Sequence, residues 1–290
     1  MYWNLGDVLQ EMNAPISKKY GILMVATNDF VNLWVQTALS LQSALGTSAN
    51  DFNIHLFTNK KDDCERLIFL ENLKMSVEFH EIPGWGWPEA TLLRYEFFDC
   101  ISEELKEEIL VYLDSDMHVR SNFLETLNPD EWKNGIALVI HPGYVRFKGF
   151  AGIWQRIQSP NLLIRDVLNS FLRKKTGDWE SNEASEAFVP REKQKKYVHG
   201  AIWMGKNRNL KELISRLSQN TSYDLDRGII AKWHDESHLN WFCSNFEVTI
   251  LDSRYSGFYR YRYLKKIDSM IVSVEKEKDF GRKQSEIETR

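Results

Sequence analysis

Between residues 21 and 114 short β-branched apolar runs alternate with stretches of helical periodicity, and this alternation limits the fold more than any other feature of the chain. "GILMVAT" (21–27), "FNIHLFT" (52–58), "SVEFHEI" (76–82) and "EILVYLD" (108–114) read as strands. After the first, Asn28 and Asp29 are helix-capping types, and Val31, Trp34, Val35, Ala38, Leu41 and Leu45 recur at three- and four-residue spacing. A charged helical stretch separates the second and third strands. The turn "PGWGWPEA" (83–90) leads into the helix "TLLRYEFFDCI", with Pro88 suited to a first helical position. Strands and helices in this order predict a mostly parallel sheet with helices on both faces, an α/β fold. Later strands are expected at "GIALVIH" (135–141), "VHGAIWM" (198–204) and "FEVTIL" (246–251). Between 142 and 196 the pattern breaks down, apart from a helix over 161–175.

Composition narrows the function. The 290 residues carry a net charge of −4, with 27% charged and 43% hydrophobic residues. That balance suits a globular chain and argues against a nucleic-acid-binding surface. No apolar run reaches the roughly 18 residues that span a bilayer. "MYWNLGDVLQEMNAP" lacks both a basic leader and a continuous apolar core, so neither a transmembrane anchor nor a secretory signal is expected. Cys64, Cys100 and Cys243 are scattered and odd in number, which suits a reducing, cytoplasmic setting and excludes a disulfide framework. The 10 Trp, 11 Tyr and 16 Phe fit either core packing or contact with the apolar faces of sugars.

In "ILVYLDSDM" two carboxylates, Asp114 and Asp116, follow five apolar residues. On an extended backbone they would share a side, about 7 Å apart or less, at the carboxyl end of a strand. That edge of an open α/β sheet is where ligands bind. A divalent cation such as Mn²⁺, with Mg²⁺ as the alternative, would relieve the repulsion between them and could hold phosphates. The alternative is an acidic turn that merely ends a strand. No glycine-rich phosphate loop occurs anywhere, so a bound nucleotide would have to be neutralised by metal and basic side chains.

"WHDESHLN" (233–240) concentrates two histidines, two carboxylates, a tryptophan and an amide. Three readings are open. His234 and His238, four apart, have the spacing of a zinc helix. A zinc hydrolase, however, would need its base directly after the first histidine, where the shorter Asp235 stands. The stretch could also be a solvated helix start with acids in its first turn. The third reading is recognition of a sugar.

The octapeptide resembles the hallmark of glycosyltransferase family 6, and other segments follow in that family's order. "WPEATLLRYE", "VYLDSDM", "HPGYV", "WESNEASEAFVP", "YVHGAIWMG" and "KEKDFGR" are each similar to a family motif, from about residue 21 to 283. The resemblance implies a GT-A fold, a single Rossmann-like domain over residues 21–270. A short segment (1–20) would precede it and a charged tail (271–290) would close over donor. It implies retaining transfer of galactose or N-acetylgalactosamine from a UDP-sugar to an oligosaccharide or glycolipid acceptor, commonly at O3 of galactose. By position, Asp114 and Asp116 would bind Mn²⁺ and donor, with Ser115 between them. Val25, Ala26, Thr27 and Phe30 match the uridine pocket, and Arg94 a donor-side arginine. Asp235 would hold donor hydroxyls, and Glu236 would be the catalytic carboxylate. His141, Trp179, Glu180 and Trp233 fall where the family binds acceptor. Lys276 and Arg282 match tail residues that cover the diphosphate.

His199, Gly200 and Ala201 lie where the family separates the two sugars; they match neither common pattern, and galactose is the favoured reading. Two other departures stand out. "DSD" keeps the metal-binding pair that many bacterial members replace with NxN, which predicts metal dependence. An insertion near 146–177 lengthens the spacing after His141. It could serve as an acceptor wall, a lid or, through its Arg and Lys residues among Phe, Ile, Leu and Trp, a weak membrane-surface contact. A sugar-nucleotide-binding protein without turnover is the non-enzymatic alternative.

Overall fold

The structure is a computed structural model and describes residues 19–146, 149–171, 176–258 and 269–274. In chain order the first half contains strand β1 (Tyr20–Val25), helix α1 (Val31–Leu45), β2 (Phe52–Thr58), α2 (Lys61–Glu71) and β3 (Ser76–Glu81). The short helices α3 (Glu89–Leu92) and α4 (Arg94–Cys100) follow, then β4 (Ile109–Leu113), β5 (Met117–Val119) and β6 (Ile136–Ile140). The second half contains α5 (Gly149–Gln158), α6 (Pro160–Phe171), β7 (Val198–Lys206), α7 (Asn207–Asp226), α8 (His234–Asn245), β8 (Thr249–Leu251), β9 (Gly257–Phe258) and β10 (Ile271–Ser273).

Seven strands form one sheet in the order β3-β2-β1-β4-β7-β6-β8. All its pairings are parallel except those of β7, which runs against β4 and β6. Side-chain alternation divides the core into two layers. Ile22, Met24, Val111, Leu113 and Met204 pack on one face under α1 and α2. Leu23, Leu110, Tyr112, Leu138 and Trp203 pack on the other against α4, α7 and α8. Helices on both faces of a mostly parallel sheet are what the alternation predicts. A second sheet, in the order β5-β10-β9, is absent from the sequence reading. It places residues 271–273, read as the start of the tail, in an antiparallel pairing with β5.

Three local expectations change. Asn28 does not cap a helix: it takes a left-handed conformation (φ 53°), and Phe30 occupies the N-cap of α1 without a side-chain cap. The Asn28 side chain instead donates to Gly84 O at 3.2 Å and accepts from Asn59 Nδ2 at 3.1 Å, tying together the loops after β1, β2 and β3. The helix expected over 161–175 is α6, and α5 precedes it where no helix was expected. The aspartates do not lie on one extended strand, because β4 ends at Leu113 and a turn at Ser115–Asp116 follows. Among the described residues no helix is long and apolar enough to cross a membrane.

Candidate active site

The site is built where β1 and β4 end and antiparallel β7 begins. Ser115, buried in the turn after β4, donates its hydroxyl to Val25 O at 2.6 Å, and Thr37 donates to Ser115 O at 2.8 Å. These bonds fix the aspartate turn against β1 and α1. Asp114 N donates to Ala201 O at 2.9 Å, joining the turn to β7. Buried Thr27 donates to Trp85 O at 2.7 Å, while Ala26 is fully buried and Val25 and Phe30 are half-buried beside them. The carboxylates of the pair are half-buried, so the turn opens towards solvent without standing clear of the fold.

Arg94 is the electrostatic centre. Only 6% exposed, it reaches Asp114 Oδ1 at 3.1 Å and Asp235 Oδ2 at 3.2 Å through the same Nη1. Its guanidinium lies 4.8 Å from the centre of the Tyr112 ring, whose hydroxyl donates to Asp114. Burial opposes the charge on Arg94, but Asp235, Tyr112 and Asp114 outweigh it and hold the guanidinium protonated. One cation thus links two carboxylates that arrive from opposite sides of the cleft.

Asp235 and Glu236 open α8. Glu236 Oε2 accepts from Gly200 N at 2.8 Å. A Cβ at Gly200 would meet Glu236 Cβ at 3.1 Å and Asp235 Oδ2 at 3.3 Å, so this close approach of strand and helix needs glycine. Burial pushes Asp235 up to about 7, against the opposing pull of Arg94. Glu236 keeps part of its surface open to the cleft, yet burial of its carboxyl pushes it up to about 8; the Gly200 amide lowers it and Asp235 raises it. The Tyr197 hydroxyl is close enough to influence Glu236 but makes no hydrogen bond of ordinary geometry.

Both acids ionise less readily folded than unfolded, so stability is greatest below their unfolded pKa values and is lost as pH rises through about 7 and 8. The metal-free protein should therefore melt progressively lower from the ordinary carboxylate range up to about pH 8, and Glu236→Gln should flatten that slope. Calorimetric melts across this range check it; parallel slopes would refute the buried-acid account.

His141 and His199 complete the other wall. Their rings meet edge to face, with centroids 4.7 Å apart, and one ligand atom from each lies with one from Glu236 within 4.8 Å of one another. This group could hold a cation, but each member is already engaged. Gly143 N donates to His141 Nδ1 at 3.0 Å, and His199 Nδ1 meets Ser256 Oγ at 2.6 Å. Burial, followed by Arg94, lowers His199 to about 3, so its ring is neutral. A second such group, His55, Glu78 and His80, lies on β2 and β3 in a seam that His55 continues to buried Glu107 at 2.9 Å.

Glu180 is buried with both oxygens occupied, accepting from the backbone amides of Ser181, Asn182 and Lys232. It therefore anchors the segment leading to Trp233. Trp233 itself is exposed, and its indole donates to Asp178 at 2.7 Å. Trp179 is buried edge-on against Tyr197, 5.2 Å between centroids, and so backs the tyrosine beside Glu236. Lys276 and Arg282 lie outside the described residues.

A family model described as glycosyltransferase family 6 matches residues 169–283. The matched residues take in the octapeptide and the Glu180 segment. The Escherichia coli O-antigen biosynthesis glycosyltransferase WbnI is 26% identical over 223 residues, covering 75% of this chain and 80% of that protein. Globoside alpha-1,3-N-acetylgalactosaminyltransferase 1 of Gallus gallus is 24% identical over 182 residues, covering 60% of this chain but only 46% of that relative. The seven-stranded, mostly parallel sheet agrees with the GT-A fold of family 6 glycosyltransferases.

Within the octapeptide the side chains have distinct places. Ser237 Oγ accepts from Trp233 N at 2.9 Å, closing the first turn of α8. Asn240 bonds both backbone groups of Val198, at 2.8 and 2.9 Å, and stitches α8 to the start of β7. The two histidines part: His234 packs edge-on against Trp87, and buried His238 lies 3.7 Å from Asp224. The zinc pairing that their spacing left open does not form among the described residues. Sequence reasoning missed Tyr112, Tyr197, Ser256 and Asn240. Of these Tyr112 carried a signal, since it stands two residues before Asp114 on a strand.

Proposed function

We propose that the protein moves galactose or N-acetylgalactosamine from a UDP-sugar to O3 of a galactosyl acceptor, with retention, to form an α-1,3 linkage. The observation that carries this reading is the convergence of Asp114, Arg94, Asp235 and Glu236 on one sheet edge, with Glu236 aimed by the Gly200 amide. The α-1,3-N-acetylgalactosaminyl transfer for which the Gallus gallus relative is named supports the linkage, and the O-antigen biosynthesis for which the Escherichia coli relative is named supports a saccharide acceptor.

Asp114 and Asp116 would hold Mn²⁺, or Mg²⁺; both offer carboxylate oxygen, the donor class hard divalent ions take, and both are half-buried rather than sealed. Such a cation, when bound, neutralises charge on the departing diphosphate. Val25, Ala26, Thr27 and Phe30 would form the uridine side of the cleft. Arg94 opposes the rise that burial imposes on Asp235 and holds its carboxyl in place, where it can accept hydrogen bonds from donor-sugar hydroxyls. As the bond from C1 to the β-phosphate oxygen breaks, its electron pair leaves with UDP and C1 becomes electron-poor. The Glu236 carboxylate stabilises that carbon while the acceptor oxygen forms the new bond and gives its proton to the departing phosphate oxygen. His141, His199 and exposed Trp233 would line the acceptor side, and Lys276 and Arg282 would cover the diphosphate.

Incubation with each UDP-sugar and a galactosyl acceptor should release UDP with Mn²⁺, stop in EDTA and recover on Mn²⁺ addition. Full turnover in EDTA would remove the metal role of the aspartates. Donor binding by calorimetry with neither transfer nor hydrolysis would favour a sugar-nucleotide-binding protein instead.

A further inference from the structure

Helices α5 and α6 are amphipathic in the reverse of the usual sense. On α5 the polar Gln155 is 1% exposed and donates to Val145 O at 2.8 Å, whereas Phe150, at 84% exposed, faces outward with Ile153, Trp154 and Ile157. These four recur at three- and four-residue spacing, a single stripe. On α6 half-buried Asp166 pairs with Arg146 Nε at 2.9 Å, while Leu163, Ile164, Val167 and Leu168 are exposed. A globular chain hides such stripes unless something else covers them.

Charge indicates what covers this one. Residues 146–175 contain seven basic side chains and one acid, Asp166, which Arg146 already engages, although the whole chain is at −4. A segment this basic in sequence that also carries an outward stripe of Phe, Trp, Ile and Leu matches the polar and apolar halves of an anionic bilayer surface. A second copy would bring like charge against like charge.

We propose that the α5–α6 hairpin docks this enzyme on a bilayer containing anionic lipid. Its base is continuous with the candidate cleft. Arg146 Nη1 donates to Gly143 O and Val145 O at 3.3 and 3.0 Å, just beyond His141, and Asp178, later in sequence than α6, accepts from the Trp233 indole. Docking therefore sets the acceptor side of the cleft at the lipid surface.

The test is co-sedimentation of the full chain with vesicles of phosphatidylcholine alone or mixed with phosphatidylglycerol. The protein should partition onto the mixed vesicles, weaken with salt and bind phosphatidylcholine less. Phe150→Glu with Ile157→Glu should cut partitioning about a hundredfold while leaving transfer to a short water-soluble acceptor unchanged. No binding to mixed vesicles, or binding indifferent to the substitutions, overturns the proposal. A concentration-dependent dimer lost in the same variant would assign the face to a second copy. Vesicle binding by a chain inactive on every soluble acceptor would overturn the transferase reading and leave this one standing.

Discussion

Glu236→Gln should fold, bind UDP and lose at least about a thousandfold in transfer, equivalent to about 4 kcal/mol of barrier. The amide keeps the size of the side chain and can still accept from Gly200 N through its oxygen, so the strand–helix contact survives. It cannot supply negative charge to an electron-poor C1. UDP release assays and calorimetry on the same preparation separate the two effects. A variant within tenfold of the parent would discredit the assignment of Glu236. Loss of UDP binding together with turnover would instead give Glu236 a structural role.

The second large effect is expected at Arg94. Arg94→Met removes the cation shared by Asp114 and Asp235 and leaves Asp235 buried without its counter-charge. Breaking a buried pair from one side costs about 3–5 kcal/mol, roughly 10 °C in melting temperature for a chain of this size. The sign with pH follows from Asp235. Burial already pushes it up to about 7, and loss of the opposing Arg94 pushes it higher. The variant's deficit should therefore be largest above neutral pH and shrink as acid neutralises the orphaned carboxyl. Arg94→Lys restores charge but not the planar guanidinium over Tyr112, and should recover part of the loss. A deficit independent of pH would show that packing around Arg94, not its charge, holds this region together.

Local periodicity was enough to read the strands and the layers they build. Short continuous apolar runs mark strands buried on both faces, and the helices that cover them repeat their apolar residues at three- and four-residue spacing, so both are legible without distant contacts. The direction of β7 was not legible in that way, because an antiparallel central strand has the same apolar run as a parallel one. Nor was the β5-β10-β9 sheet, whose strands are two or three residues long and whose β10 pairs with β5 about 150 residues away in sequence. At the site the charged residues were visible in the motifs, whereas their coupling through one guanidinium was not. Asn28 shows the limit at short range: an amide suited to capping is drawn into a left-handed turn by Asn59 and Gly84, neither of them a sequence neighbour.

The reversal of β7 also changes which backbone atoms meet a ligand. At the carboxyl edge of a uniformly parallel sheet the strands present terminal carbonyls. Here one strand enters where its neighbours leave, so it offers an amide proton at the same rim. Gly200 N spends that proton on Glu236, and Ala201 O receives the amide of Asp114. The two acidic arms of the cleft are thus hung from consecutive residues of a single strand. A slip of β7 by one residue would swing both out of reach together, so the pairing frame of this strand sets the aim of the acidic residues.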